Sequence, residues 1–235
     1  MKIALTGSRK RTWLIVACAL LLAACGGRAR ITFEVEIGNP VTPAPSDPPY
    51  GSSVVYPSGL RLNLVSAQAL TSSYPAPGQN PFGSSRARHY ERVGHFMDLS
   101  SAPQTAQVAT DFRLSEYVAP VVRRGDRYAY VDPQIVLHAQ QIRSGLGRPI
   151  VINSGYRSPE HNHDVGGATY SRHLYGDAAD IDVDQTRSDA ASRAQEIFNE
   201  ARDIDVDFIM PLSETSVSVG GVSRVSWVHI DDRGF

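Results

Sequence analysis

The chain has 235 residues, with 23 Lys and Arg against 24 Asp and Glu and only two cysteines. A formal net charge of −1 and the lack of a basic tract argue against a nucleic-acid partner. Both cysteines, Cys18 and Cys25, lie in the first 25 residues. The rest of the chain therefore has no disulfide, no cysteine nucleophile and no Cys-ligated structural metal.

The N-terminus, MKIALTGSRKRTWLIVACALLLAACGG, has basic residues at Lys2, Arg9, Lys10 and Arg11 and then an apolar run from Trp13 to Ala24. That run is too short for the ~20 residues a membrane-spanning helix needs, and it reads as a secretory signal. LAAC, ending at Cys25, resembles the lipobox of bacterial lipoproteins, in which the cysteine becomes the lipidated first residue. Gly26 in place of an aspartate favours the outer membrane by the sorting pattern of such proteins, so a lipid-anchored periplasmic protein is expected. Cleavage after residue 24 would leave 19 basic residues against 24 acidic ones, a net charge of −5.

ITFEVEIG then alternates like a strand. NPVTPAPSDPPYGSS is rich in proline and serine and reads as a tether. LRLNLVSAQAL has period-2 character at Leu60, Leu62 and Leu64, and TSSYPAPGQNPFGSS is a second break. Residues 25–107 are accordingly expected to be a lipidated start, a tether and a small β-rich segment.

From residue 108 the pattern changes. DFRLSEYVAP suggests a short helix with Ser115 near its start. In YVDPQIVLHAQQIRSGLGRP, Asp132 is an N-cap, Pro133 takes the first helical position, and Gly145 and Gly147 stop the helix. PIVINSG is a short buried strand, and SRAQEIFNEARDI is an amphipathic helix with Ala194, Ile197, Phe198 and Ala201 on one face. VDFIMP is another strand, and SVSVGGVSRVSWVHIDD reads as a hairpin turning on Gly220 and Gly221. The expected fold is α+β, a small antiparallel sheet with flanking helices over 108–235, long enough to bury one core.

The chemistry gathers in SRHLYGDAADIDVD. His173 and Asp180 stand on either side of Gly176, which lets the chain reverse. Asp180, Asp182 and Asp184 alternate with aliphatic residues, so a strand would put the aspartates on one face. In VSWVHIDD a strand puts Trp227, His229 and Asp231 on one face, with Val228 and Ile230 on the other. A catalytic zinc takes three ligands from His, Asp and Glu and leaves a position for water.

SGYRSPEHNHDVGGATYSRHLYGDAADID followed by WVHID resembles the zinc D-Ala-D-Ala carboxypeptidase family of bacterial wall peptidases, related in fold to lysostaphin and hedgehog domains. The match rests on Ser171, His173, Gly176, Ala178, Asp180 and Ile181, with Trp227, His229 and Asp231 later. The resemblance runs from DFRLSEYVAP to the C-terminus. It implies one zinc ion bound by His173, Asp180 and His229, with Arg157 gripping a substrate carboxylate or carbonyl oxygen and Ser171 contacting substrate. Asn162 and the Val165-Gly166-Gly167 turn match the loop between the arginine and the first histidine. His161 and His163 in that loop read as solvated residues rather than a second metal site.

One position departs from the family pattern. Several members carry a carboxylate three residues before the last zinc histidine as general base, and here Ser226 occupies that place. Asp231 is expected either to serve as the base or to orient a histidine ligand, with the base favoured; Asp177 and Asp182 are weaker candidates. The implied activity is zinc-dependent hydrolysis of peptidoglycan stem peptides, by a D,D-carboxypeptidase or a murein endopeptidase that is monomeric. The alternative is a zinc-containing lipoprotein that binds peptidoglycan without cutting it.

Overall fold

A computed structural model describes residues 53–235. The signal segment 1–24, Cys25, the strand expected in ITFEVEIG and the first Pro-rich linker up to residue 52 lie outside the described residues.

In chain order the elements are β1 (Ser53–Val55), β2 (Arg61–Asn63), β3 (Val65–Ser66), α1 (Gln68–Ser72) and β4 (His95–Asp98). α2 (Leu114–Arg124), β5 (Tyr128–Ala129), α3 (Pro133–Leu146), β6 (Ile152–Ser154) and α4 (Pro159–Asp164) come next. β7 (Ala178–Asp182), α5 (Ala190–Asp203), β8 (Phe208–Ile209), β9 (Ser216–Val219), β10 (Val222–Val225) and β11 (Trp227–Asp231) complete the chain. The main sheet has four strands in the order β6-β7-β11-β8, and all its pairings are antiparallel. The fold is thus α+β with small antiparallel sheets.

Local chemistry accounts for the helices. Asp132 accepts a hydrogen bond from the Gln134 N–H at 2.8 Å and caps α3 ahead of Pro133. Gly147, at φ +60°, ends the same helix in the left-handed region, while Gly145 lies inside it. Ala194, Ile197 and Ala201 of α5 are buried as the amphipathic pattern requires. α2 runs further than its sequence suggests and continues through Pro120 to the left-handed Gly125. Its Arg113 N–H donates to Glu116, which supports the first turn from the side.

The hairpin on Gly220 and Gly221 forms as β9 and β10, but it is a two-stranded sheet of its own. β11 separates from it and enters the main sheet between β7 and β8. β7 stops at Asp182, so Asp184 lies beyond the strand, where its carboxylate accepts bonds from the Thr186 N–H and hydroxyl.

The boundary expected at 107/108 is not a break in packing among the described residues. Tyr56, Tyr74, Tyr90, Phe96 and Met97 belong to the same buried cluster as Tyr117, Ile135, Tyr156 and Ile181. Tyr74 donates its hydroxyl to the Leu174 carbonyl at 2.8 Å and lies 3.0 Å from the Tyr156 hydroxyl. Tyr170 donates to the Ala76 carbonyl at 2.7 Å, and Arg172 to the His89 carbonyl at 2.6 Å. Short strands separated by Pro/Gly-rich turns look like a tether in sequence. Here their scattered tyrosines and phenylalanines supply long-range contacts that no local pattern reveals.

Candidate metal centre

Register assembles the site. In the β7–β11 pairing Asp180 stands opposite His229, and Trp227 stands opposite Asp182. Directly paired residues share a face, so Asp180 and His229 project together. His173 arrives from a one-turn 3-10 segment, Arg172–Tyr175, that precedes β7. Gly176 ends that turn at φ +74°, and a Cβ there would meet the Tyr130 carbonyl oxygen at 2.3 Å. No other residue satisfies both conditions. Arg172 and Asp177 flank the turn and pair in the interior, while the Arg172 guanidinium lies 4.5 Å from the centre of the Tyr175 ring.

His173, Asp180 and His229 are all buried, and one ligand atom from each lies within 4.8 Å of the others. Asp180 Oδ2 is 3.2 Å from His173 Nε2, and Asp180 Oδ1 is 2.8 Å from His229 Nδ1. Each imidazole turns its other nitrogen away. His173 Nδ1 is 2.7 Å from the Gly155 carbonyl oxygen, which can only accept. That nitrogen therefore carries the proton and Nε2 keeps its lone pair. Two imidazoles and a carboxylate, with at least one ring oriented by a backbone acceptor, fit a zinc ion in both donor type and outer support.

The electrostatics agree with anionic Asp180. Burial alone would raise its pKa, but the two neighbouring imidazoles outweigh burial and hold it well below the usual carboxylate range. Burial lowers the pKa of His173 and opposes its protonation. For His229 burial also lowers the pKa, yet hydrogen bonds to Asp180 and Asp231 reverse this and push it up to about 9. Metal binding there competes with a proton.

Arg157 comes after β6, whose Ser154 is registered opposite Asp180. Its Nη2 donates to Asp180 Oδ2 at 2.8 Å and its Nε to the Ser154 hydroxyl at 3.0 Å. The guanidinium is therefore held at the ligand cluster by two contacts. Ser171 opens the 3-10 turn, half-buried, and its hydroxyl does not cap the turn. Asn162 is buried in α4 and closes the loop by donating to the Ala168 carbonyl at 2.9 Å. His163 is 90% exposed, and neither it nor His161 joins the metal cluster among the described residues.

Asp231 is not placed where a general base would work. It is fully buried, and its Oδ2 lies 3.1 Å from His229 Nε2, the ring nitrogen opposite the one that faces Asp180. Arg233 donates to both of its oxygens, at 2.7 and 2.5 Å. A carboxylate behind a ligand and paired with an arginine orients that ligand; it does not face the point where the ligands converge. These contacts favour the second of the two roles expected of Asp231, orienting a histidine ligand. Asp177 is buried against Arg172 and faces away too. Three supporting groups have no signature in the sequence: the Gly155 carbonyl, the Ser154 hydroxyl and Arg233. A backbone acceptor leaves no trace in residue type.

Residues 121–203 match the family model described as Peptidase M15. The matched residues include Arg157, His173 and Asp180, whereas His229 lies beyond them. Over 43 residues the chain is 51% identical to the zinc D-Ala-D-Ala carboxypeptidase of Streptomyces albus G. That stretch covers 18% of this chain and 17% of the Streptomyces protein, so the match spans about a sixth of that curated relative.

Proposed function

We propose that this protein is a zinc-dependent peptidase that hydrolyses peptidoglycan stem peptides, as a D,D-carboxypeptidase or a murein endopeptidase. The observation that carries the reading is the convergence of His173, Asp180 and His229 in the interior with Arg157 beside them. The name of the Streptomyces relative supports zinc and a D-Ala-D-Ala substrate.

His173, Asp180 and His229 would hold a zinc ion, which would supply Lewis acidity at this point. Arg157, tied by Ser154, retains N–H groups at Nη1 for a substrate carboxylate or the developing oxyanion. Asp182 is the remaining candidate carboxylate for proton transfer. It shares the strand face of Asp180, opposite Trp227, and it reaches solvent. Lipidation at Cys25, with the domain held at the outer membrane on its periplasmic side, would keep the enzyme beside an immobile substrate.

Ser226, in the place where relatives carry a base, favours a second reading: a zinc-containing wall-binding protein that does not cut. One experiment separates the two. The full chain is purified in detergent, its zinc content measured, and muropeptides incubated with it are read by mass spectrometry. Stoichiometric zinc with loss of D-Ala identifies a carboxypeptidase, and conversion of dimers to monomers identifies an endopeptidase. Stoichiometric zinc with intact muropeptides supports the binding protein, and absence of zinc rejects both.

A further inference from the structure

The two histidine ligands are prepared differently. His173 is fixed by a backbone carbonyl and presents Nε2, whereas His229 presents Nδ1 and turns Nε2 to Asp231. The Asp231 carboxylate is itself immobilised. Its Oδ1 accepts from Arg233 Nε at 2.7 Å, and its Oδ2 accepts from Arg233 Nη2 at 2.5 Å while lying 3.1 Å from His229 Nε2. Arg233 is also held from its other side, because its guanidinium carbon sits 3.6 Å from the centre of the Phe208 ring. Phe208 in turn is registered opposite Asp231 across the β8–β11 pairing.

We propose that Asp231, Arg233 and Phe208 form a positioning device that fixes the His229 tautomer, with the proton on Nε2 and the Nδ1 lone pair directed at the metal. The inference rests on the metal-centre reading of His173, Asp180 and His229. A bidentate guanidinium is the group suited to hold a carboxylate in one plane, and lysine cannot reproduce its fork. A fully buried aspartate without Arg233 would be an uncompensated charge. With Arg233 in place, Asp231 can act only as an acceptor and so selects one ring nitrogen as the donor.

Asp231→Asn tests this most sharply. Whichever way the amide turns, its NH2 meets an Arg233 N–H in place of an acceptor, so one prong of the fork is lost and the hold on the acceptor facing His229 Nε2 loosens. The full chain and its variants are titrated with zinc against a chromophoric chelator, with folding checked by circular dichroism. The His229 tautomer is read from imidazole 15N shifts of the zinc-loaded protein. Wild type is expected to show the proton on Nε2. Asp231→Asn is expected to lose about 10- to 100-fold in zinc affinity while remaining folded. Arg233→Gln should lose a similar factor, and Arg233→Lys, which keeps the charge without the fork, should recover only part of it. If folded Asp231→Asn and Arg233→Lys both bind zinc as wild type does, with the proton on Nε2, the device is refuted while the metal centre stands. If wild type binds no zinc, the metal centre falls and this inference with it.

Discussion

Gly155 is where packing and the metal centre meet, and replacing it with alanine perturbs both. A Cβ at residue 155 would sit 2.5 Å from the Tyr117 carbonyl oxygen and 2.8 Å from the Tyr117 Cα. Both are backbone atoms of α2, so no rotamer change relieves the clash. Restoring an ordinary contact of about 3.4 Å requires β6 and α2 to separate by roughly 0.9 Å, and overpacking of this kind costs about 1–3 kcal/mol. In a chain of this size that is a fall of about 2–12 °C in Tm. The same displacement stretches the 2.7 Å contact between the Gly155 carbonyl and His173 Nδ1. It also strains the 3.0 Å bond from the Tyr156 N–H to the Tyr117 carbonyl. Loss of the His173 acceptor should weaken zinc binding about 10- to 100-fold. The assays are thermal unfolding and zinc competition, with Gly94→Ala as control because a Cβ there meets nothing within 4 Å. A Gly155→Ala protein that melts within ~2 °C of wild type and binds zinc equally well would refute the reasoning.

Arg157→Lys keeps the charge but loses the fork that engages Ser154 and Asp180. On muropeptide hydrolysis it should reduce kcat/KM by about 10²-fold, the order lost with one oxyanion donor, with zinc content unchanged. Tyr74→Phe removes a buried hydroxyl from the Leu174 carbonyl and the Tyr156 hydroxyl. It should cost about 1–3 kcal/mol in urea unfolding. That unfolding should remain a single transition, because residues 53–107 share one buried core with residues 108–235. Asp132→Asn probes pH. Burial pushes the pKa of Asp132 from 3.8 up to about 6, against the bond from the Gln134 N–H. The stability due to its protonation is fully present below 3.8 and is lost as pH rises through about 6. The total is at most about 3 kcal/mol. Asparagine keeps the cap without titrating, so unfolding midpoints measured from pH 4 to 7 should flatten in the variant over that window.

Much of the site could be read from residue order alone. His173 and Asp180 flank a glycine that must turn, and His229 sits in a strand with aliphatic residues on its other face. These are local facts, set by strand alternation and by the left-handed conformation at Gly176. The cap at Asp132 and the stop at Gly147 are equally local, since each depends on orphan backbone groups within one turn. Only the tertiary structure decided which ring nitrogen each histidine presents, because that is set by a carbonyl 18 residues away and by a carboxylate held by Arg233. It alone set Asp231 behind the His229 ring and against Arg233: residues two apart in a strand share a face, but whether the second reaches the ligand point depends on the ring between them. It alone joined residues 53–107 to the rest, because single tyrosines carry no periodicity. Short-range sterics and hydrogen bonds are written in neighbouring residues, whereas the direction of a lone pair is set by whatever packs behind it.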